Sequence, residues 1–215
     1  GIFGFLNLAE LGGEAYARSG TAGMQYIVLA LEWVKENIAS FGGDPDNVMI
    51  FGQSGGGGKV NALKAMPAAK GLFHRAAVHS GSIPHMGEPE KTARLAAAVL
   101  TELGGKTGNL QPLQQCSVGQ LMEAGKAAVR KLAAESRGPA GPGIRRGRLW
   151  WSPTVDGVTF PSHPFEPDAP EVSATVPLLV GNNTHEFVSG VDKPDGYNLT
   201  LPQLERRLRD RFGDK

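Results

Sequence analysis

The chain has 215 residues, of which 22 are basic and 21 acidic, giving a formal net charge of +1. That balance excludes a basic surface built for nucleic acid or an anionic membrane. Apolar residues are 40% of the chain, enough for a real core, and a single cysteine, Cys116, excludes an internal disulfide.

No signal peptide or membrane-length apolar run is visible, and with one cysteine this favours a reducing, cytoplasmic compartment. Gly1 to Leu8 is apolar and glycine-punctuated and reads as a strand running out into a loop. Gly12 to Gly23 is a polar connection. Ile27, Ala30, Leu31, Val34 and Ile38 then fall on one helical stripe, which Phe41-Gly42-Gly43 ends and Asp44-Pro45 blocks. Val48 to Phe51 reads as a buried strand. It runs into Gly52-Gln53-Ser54-Gly55-Gly56 and then a helix-compatible stretch from Lys59 to Met66.

After a turn at Pro67 to Gly71, Ala76 to His79 is a second short strand. The intervening helix requires a right-handed crossover, so the two strands are expected to be parallel. A helix follows from Pro89 to Leu103, with Leu95, Val99, Leu100 and Leu103 inward and Gly104 past its end. Ser117-Val118-Gly119-Gln120 is a capping box that opens another, through Leu121, Ala124, Ala128 and Leu132.

Ser136 to Arg148, with Arg137, Arg145, Arg146 and Arg148, reads as a solvated loop, and Trp150 and Trp151 as packing residues. Val155-Asp156-Gly157-Val158 suggests a tight hairpin. Four prolines within 161–173 mark an ordered surface loop. Val176 to Gly181 is a third buried strand, continuing through His185 to Glu186. Thr200 to Gln203 caps a last helix carrying Leu204 and Leu208. There is no internal repeat. The alternation predicts an α/β fold with a mainly parallel sheet and helices on both faces.

Strand, Gly-x-Ser-x-Gly and helix in succession are the context of a nucleophile elbow, which lifts a serine hydroxyl above the carboxyl end of a strand. A phosphate-loop reading of the same glycines fails. Gln53 stands where that loop needs glycine, and Val60 where it needs Ser or Thr. Ser54, His79 and Glu186 all lie at expected strand ends, where ligands gather in open parallel sheets. A serine nucleophile needs a base, and the base an orienting carboxylate. Gly55, directly after the serine, would turn its N–H toward a developing oxyanion. His79 could be the base, though a hydrogen-bonded strand-end histidine is the plainer reading. His74 looks structural, and His85 and His163 sit in proline-flanked loops.

Trp33 to Ile38, Phe41 to Pro45, Phe51 to Gly56, Gly71 to Ala76, Ser80-Gly81-Ser82, Pro153 to Gly157, and Val176 to Leu179 with Gly181 and Glu186 resemble the type-B carboxylesterases. These are the cholinesterase-like branch of the α/β-hydrolases, and the similarity is greatest to bacterial para-nitrobenzyl esterase-type enzymes. The resemblance implies Ser54 as nucleophile, Glu186 as triad acid, Gly55 as an oxyanion donor, a small-molecule carboxylic ester as substrate, and no metal or organic cofactor. It also implies that 1–215 is the internal portion of one domain. The oxyanion loop would precede Gly1 and the catalytic histidine would lie beyond Lys215. Gly55 where alanine is usual, and Thr21-Ala22 where the family commonly has Asn-Val, depart from the pattern. A non-catalytic cholinesterase-like binding module and an incomplete gene product are the alternatives.

Overall fold

The computed structural model describes residues 1–81, 84–135, 151–184, 186 and 198–212. The loop expected from Ser136 to Arg148, Trp150, Ser82 and His185 lie outside them. In chain order the elements are α1 (Ile2–Phe5), α2 (Ala9–Gly12), α3 (Ala22–Asn37), β1 (Met49–Gln53), α4 (Gly55–Ala65) and β2 (Arg75–His79). Then come α5 (Pro89–Glu102), α6 (Gln111–Gln115), α7 (Val118–Glu135), β3 (Leu178–Gly181) and α8 (Leu201–Phe212).

The sheet runs β1-β2-β3, with both pairs parallel, as the crossover argument requires. Gln53 lies opposite His79, and His79 opposite Gly181, so the three strands end level at one rim. Helix α4 packs across β1 and β2. Strand alternation gives it Ile50 and Ala76, then Gly52 and Val78. The opposite face carries Met49, Phe51 and Leu179, all exposed among the described residues.

Two cores flank this unit. Behind α4, Met24, Val28 and Leu31 of α3 meet Ala62, Leu63 and Met66, with Phe73 and Phe160. The second joins α1 and α2 to α5 and α7 through Ile2, Leu11, Leu95, Val99, Leu100, Ala128 and Leu132. Trp151 packs against both, as a core-edge tryptophan should.

Helix ends follow their sequence signals. The Ser117 N–H donates to Gln120 Oε1 at 2.8 Å and the Gln120 N–H to Ser117 Oγ at 3.2 Å, a reciprocal capping box. Beyond α5, Gly104 has φ 76°. The Gly105 N–H reaches Leu100 O and the Gly104 N–H reaches Thr101 O, a Schellman closure.

Four local expectations change. The runs read as buried strands are largely open, β1 alternating exposed with half-buried residues and β3 exposed at Leu178, Leu179 and Val180, because among the described residues α4 packs on only one face of β1 and β2. Residues 2–5 form a helical turn instead of a strand, because Ile2 and Phe5 point into different cores and Gly4 lies against Gly23. The buried stripe of α3 is rotated, running through Met24, Val28 and Leu31 with Ala30 exposed. Tertiary contact with α4 selects this face. Residues 155–158 are not a hairpin. Asp156 Oδ1 accepts the N–H groups of Val158, Thr159 and Phe160 at 3.0, 2.7 and 3.0 Å, closing a side-chain-capped bend.

Lys64 is the buried cation of α4. Its ammonium donates to Val176 O at 3.1 Å and Ser173 O at 3.4 Å, fastening α4 to the segment that enters β3. Burial lowers its pKa.

Candidate active site

β1 is a short apolar strand against α4, and the chain must reverse sharply between them. Ser54 makes that reversal alone, with φ 53° and ψ −119°. Such a backbone costs a non-glycine residue about 1–3 kcal/mol and persists only where its surroundings enforce it. The enforcement is visible. The Ser54 N–H extends the β1–β2 ladder to His79 O at 2.9 Å, while Ser54 O accepts the Gly58 N–H at 3.1 Å, closing the first turn of α4.

Glycines clear the space beneath. A Cβ on Gly52 would stand 2.3 Å from Gly56 C, and one on Gly81 would stand 1.9 Å from Ser54 O. A Cβ on Gly57 would meet Val78 Cγ1 at 3.0 Å. Gly55 and Gly56 differ. A methyl at Gly55 would meet only Lys59 Nζ, at 3.8 Å, and one at Gly56 would meet nothing within 4 Å. So the first motif glycine, Gly52, together with Gly57 just past the motif and Gly81 from the next strand end, holds the elbow, and neither Gly55 nor the second motif glycine, Gly56, is required sterically. Lys59 folds back along α4 and donates to Gly55 O at 3.1 Å.

No side chain caps α4 at Ser54. The Gly55 N–H is the first of the helix, where the peptide dipoles favour negative charge. Beside Ser54, Ser80 leaves β2 with φ 52°, its N–H on Gly181 O at 2.8 Å. Two neighbouring strands thus exit through strained serines, and only the first was singled out by motif. The Ser-Gly-Ser at 80–82 carried the signal for the second.

Glu186 follows the end of β3 by five residues and is exposed, with Oε1 accepting the Asn183 N–H at 2.6 Å. β2 stands between the strands that lead to Ser54 and Glu186, so their axes are about 9–10 Å apart. The described residues show no hydrogen bond between these two side chains. A third group would have to link them. His79 ends β2 on the face away from α4 by alternation. His74 is structural, its Nδ1 accepting the Val48 N–H at 3.2 Å.

A groove of about 620 Å³ lies between α3 and the turn after α4. Its lining includes Tyr26, Leu29, Met66 and Val158 but none of Ser54, Gly55 or Glu186. Met66 lies past the far end of α4 from Ser54, so this groove is separate from the strained serine. The group of metal-capable side chains among the described residues, His85, His163 and Glu166, also contains none of the three.

Against known proteins, the model of the "Carboxylesterase family" matches residues 1–210. Para-nitrobenzyl esterase of Bacillus subtilis (strain 168) is 40% identical over 186 residues, 86% of this chain and 35% of that protein. Liver carboxylesterase of Sus scrofa is 35% identical over 212 residues, 96% of this chain and 36% of that protein. The crystal structure of carboxylesterase EST55 from Geobacillus stearothermophilus superposes with a TM-score of 0.75 at 34% identity, covering 98% of this chain and 42% of that one. The chain therefore spans about a third of the length of the curated relatives it matches.

Proposed function

The chain belongs to the carboxylesterase family, and from that premise we propose that it carries the nucleophile and the acid of a serine carboxylic-ester hydrolase. The observation that carries this reading is the positive φ of Ser54 at the junction of β1 and α4.

The chemistry follows from the residues. Ser54 Oγ attacks the carbonyl carbon of a small-molecule ester as its proton passes to an imidazole. The C–O bond to the carbonyl oxygen becomes a single bond, and the oxyanion is met by the Gly55 N–H at the start of α4. The intermediate collapses with loss of the alcohol, which takes the proton from the imidazolium. Water then adds to the acyl-serine by the same route, releasing the acid and restoring Ser54. Glu186 orients the imidazole and stabilises its cation. That imidazole belongs to a part of the protein outside these 215 residues. The one-strand gap that β2 leaves between the strands leading to Ser54 and Glu186 leaves room for such a ring.

Labelling the full-length protein with a fluorophosphonate tests this directly. One adduct on Ser54 by mass spectrometry is expected, and Ser54→Ala removes both the adduct and p-nitrophenyl acetate turnover. A folded protein that turns over the ester without labelling at Ser54 overturns it. The 215 residues alone are expected to show only the residual rate of a site lacking its base. Turnover at ordinary esterase rates by this segment would transfer the base to a histidine inside it, His79 first.

A further inference from the structure

Apart from the elbow residues, two segments distant in sequence bring two imidazoles and two carboxylates together. His85 Nδ1 lies 2.9 Å from Glu166 Oε2, and His163 Nε2 lies 3.2 Å from Glu88 Oε1. The two rings meet edge to face with centroids 5.5 Å apart. One ligand atom from each of His85, His163 and Glu166 lies within 4.8 Å of the other two. We propose that these three side chains form a surface site for a divalent transition ion of the zinc class, distinct from the residues assigned to ester hydrolysis.

The spacing suits such an ion. Ligands about 2.0–2.2 Å from tetrahedral zinc stand about 3.3 Å from one another. The 2.9 Å between His85 Nδ1 and Glu166 Oε2 is close to that edge, and His163 offers a ring nitrogen within 4.8 Å of both. An ion can therefore take the place of the proton shared by His85 and Glu166, with the His163 ring closing on it as the third ligand. Two imidazoles and a carboxylate suit zinc, copper or nickel, whereas magnesium and calcium prefer oxygen ligands throughout.

Both segments are braced. The Glu166 N–H donates to His163 O at 3.3 Å, closing the turn that presents His163 and Glu166 together. On the other side, the Gly87 N–H donates to Pro153 O at 2.7 Å and the Val155 N–H to Gly87 O at 3.0 Å. The side chains of His85 and Glu166 are 65% and 53% exposed, so an ion can enter and water can complete its shell.

The same network limits the affinity. The Met86 N–H donates to His163 Nδ1 at 3.1 Å, so the ion-free ring carries its proton on Nε2, facing Glu88. Ligation through Nε2 moves that proton to Nδ1 and releases the Met86 N–H to water. That loss lowers the affinity below that of a preformed site, so binding at about micromolar strength is expected.

Zinc titration of the chelator-treated full-length protein by calorimetry tests the site. Saturable binding near micromolar is expected, weakened about tenfold or more in His85→Ala and in Glu166→Gln, with none to Mg²⁺. Cobalt should give a visible ligand-field band that the same variants lose. Unchanged circular dichroism would confirm that these exposed substitutions leave the fold intact. Absence of zinc binding tighter than about 100 μM, or equal affinity in wild type and both variants, overturns the proposal. Neither outcome depends on ester turnover.

Discussion

Gly81→Ala and Gly56→Ala are the same change made at two glycines on either side of the Ser54 elbow, and they should have opposite effects. A Cβ at Gly81 would lie 1.9, 2.5 and 2.6 Å from Ser54 O, C and Cα, all of them backbone. Carbon contacts are comfortable at about 3.5–4.0 Å, so the elbow itself must shift. Overpacking usually costs about 1–3 kcal/mol. With three main-chain atoms overlapped and no flexible side chain to yield, about 3 kcal/mol or more is expected for Gly81→Ala. Gly56 lies inside α4 with open space around its Cβ position. There alanine should stabilise by about 0.5–1 kcal/mol, since glycine loses more backbone entropy in a helix. The variants should differ by about 4 kcal/mol, which at a slope of about 2 kcal/mol/M separates their urea midpoints by about 2 M. Equilibrium unfolding monitored by tryptophan fluorescence measures this. A Gly81→Ala midpoint within error of wild type, or a Gly56→Ala midpoint well below it, refutes the packing argument.

Lys64 and Asp156 give pH signatures of defined sign. Burial lowers the Lys64 pKa below its ordinary 10.5, so the unfolded chain binds more protons in the window beneath that value. Lys64 therefore makes stability rise with pH there, and Lys64→Met should flatten that rise in urea unfolding curves from neutral to alkaline pH. Burial opposes ionisation of Asp156, but the hydrogen bonds from Phe160, Thr159 and Val158 outweigh it and hold its carboxyl below 3.8. Its contribution is present above that value and is lost as pH falls through the folded-state pKa. Asp156→Ala, which orphans three N–H donors, should cost about 3 kcal/mol at neutral pH by thermal or urea unfolding. The difference from wild type should shrink in acid. Ser117→Ala removes one half of the capping box and should cost about 1 kcal/mol, measured as a lowered urea midpoint.

The local elements were legible in the sequence because their causes are short-range. Val48 to Phe51 and Val176 to Gly181 are apolar runs too short for helices. Ser117 and Gln120 cap each other across three residues, and Gly104 stops α5 by its φ alone. The elbow was readable for the same reason, since strand, Gly-x-Ser-x-Gly and helix occur in one continuous stretch. Packing decided the rest. Gly81 and Gly56 are the same residue in sequence, yet only the approach of β2's end to the Ser54 carbonyl makes one indispensable. The buried face of α3 moved from Ala30 toward Met24 and Val28 because α4 selects the face it meets. Residues 155–158 had hairpin chemistry, but Asp156 found three N–H donors within its own bend and a fourth partner in the Thr21 hydroxyl. Likewise His85 and His163 are unremarkable loop histidines until the fold sets them beside Glu166 and Glu88. Propensity and periodicity act over a few residues and so are written in the chain, whereas close approach and convergence depend on coordinates that no single stretch contains.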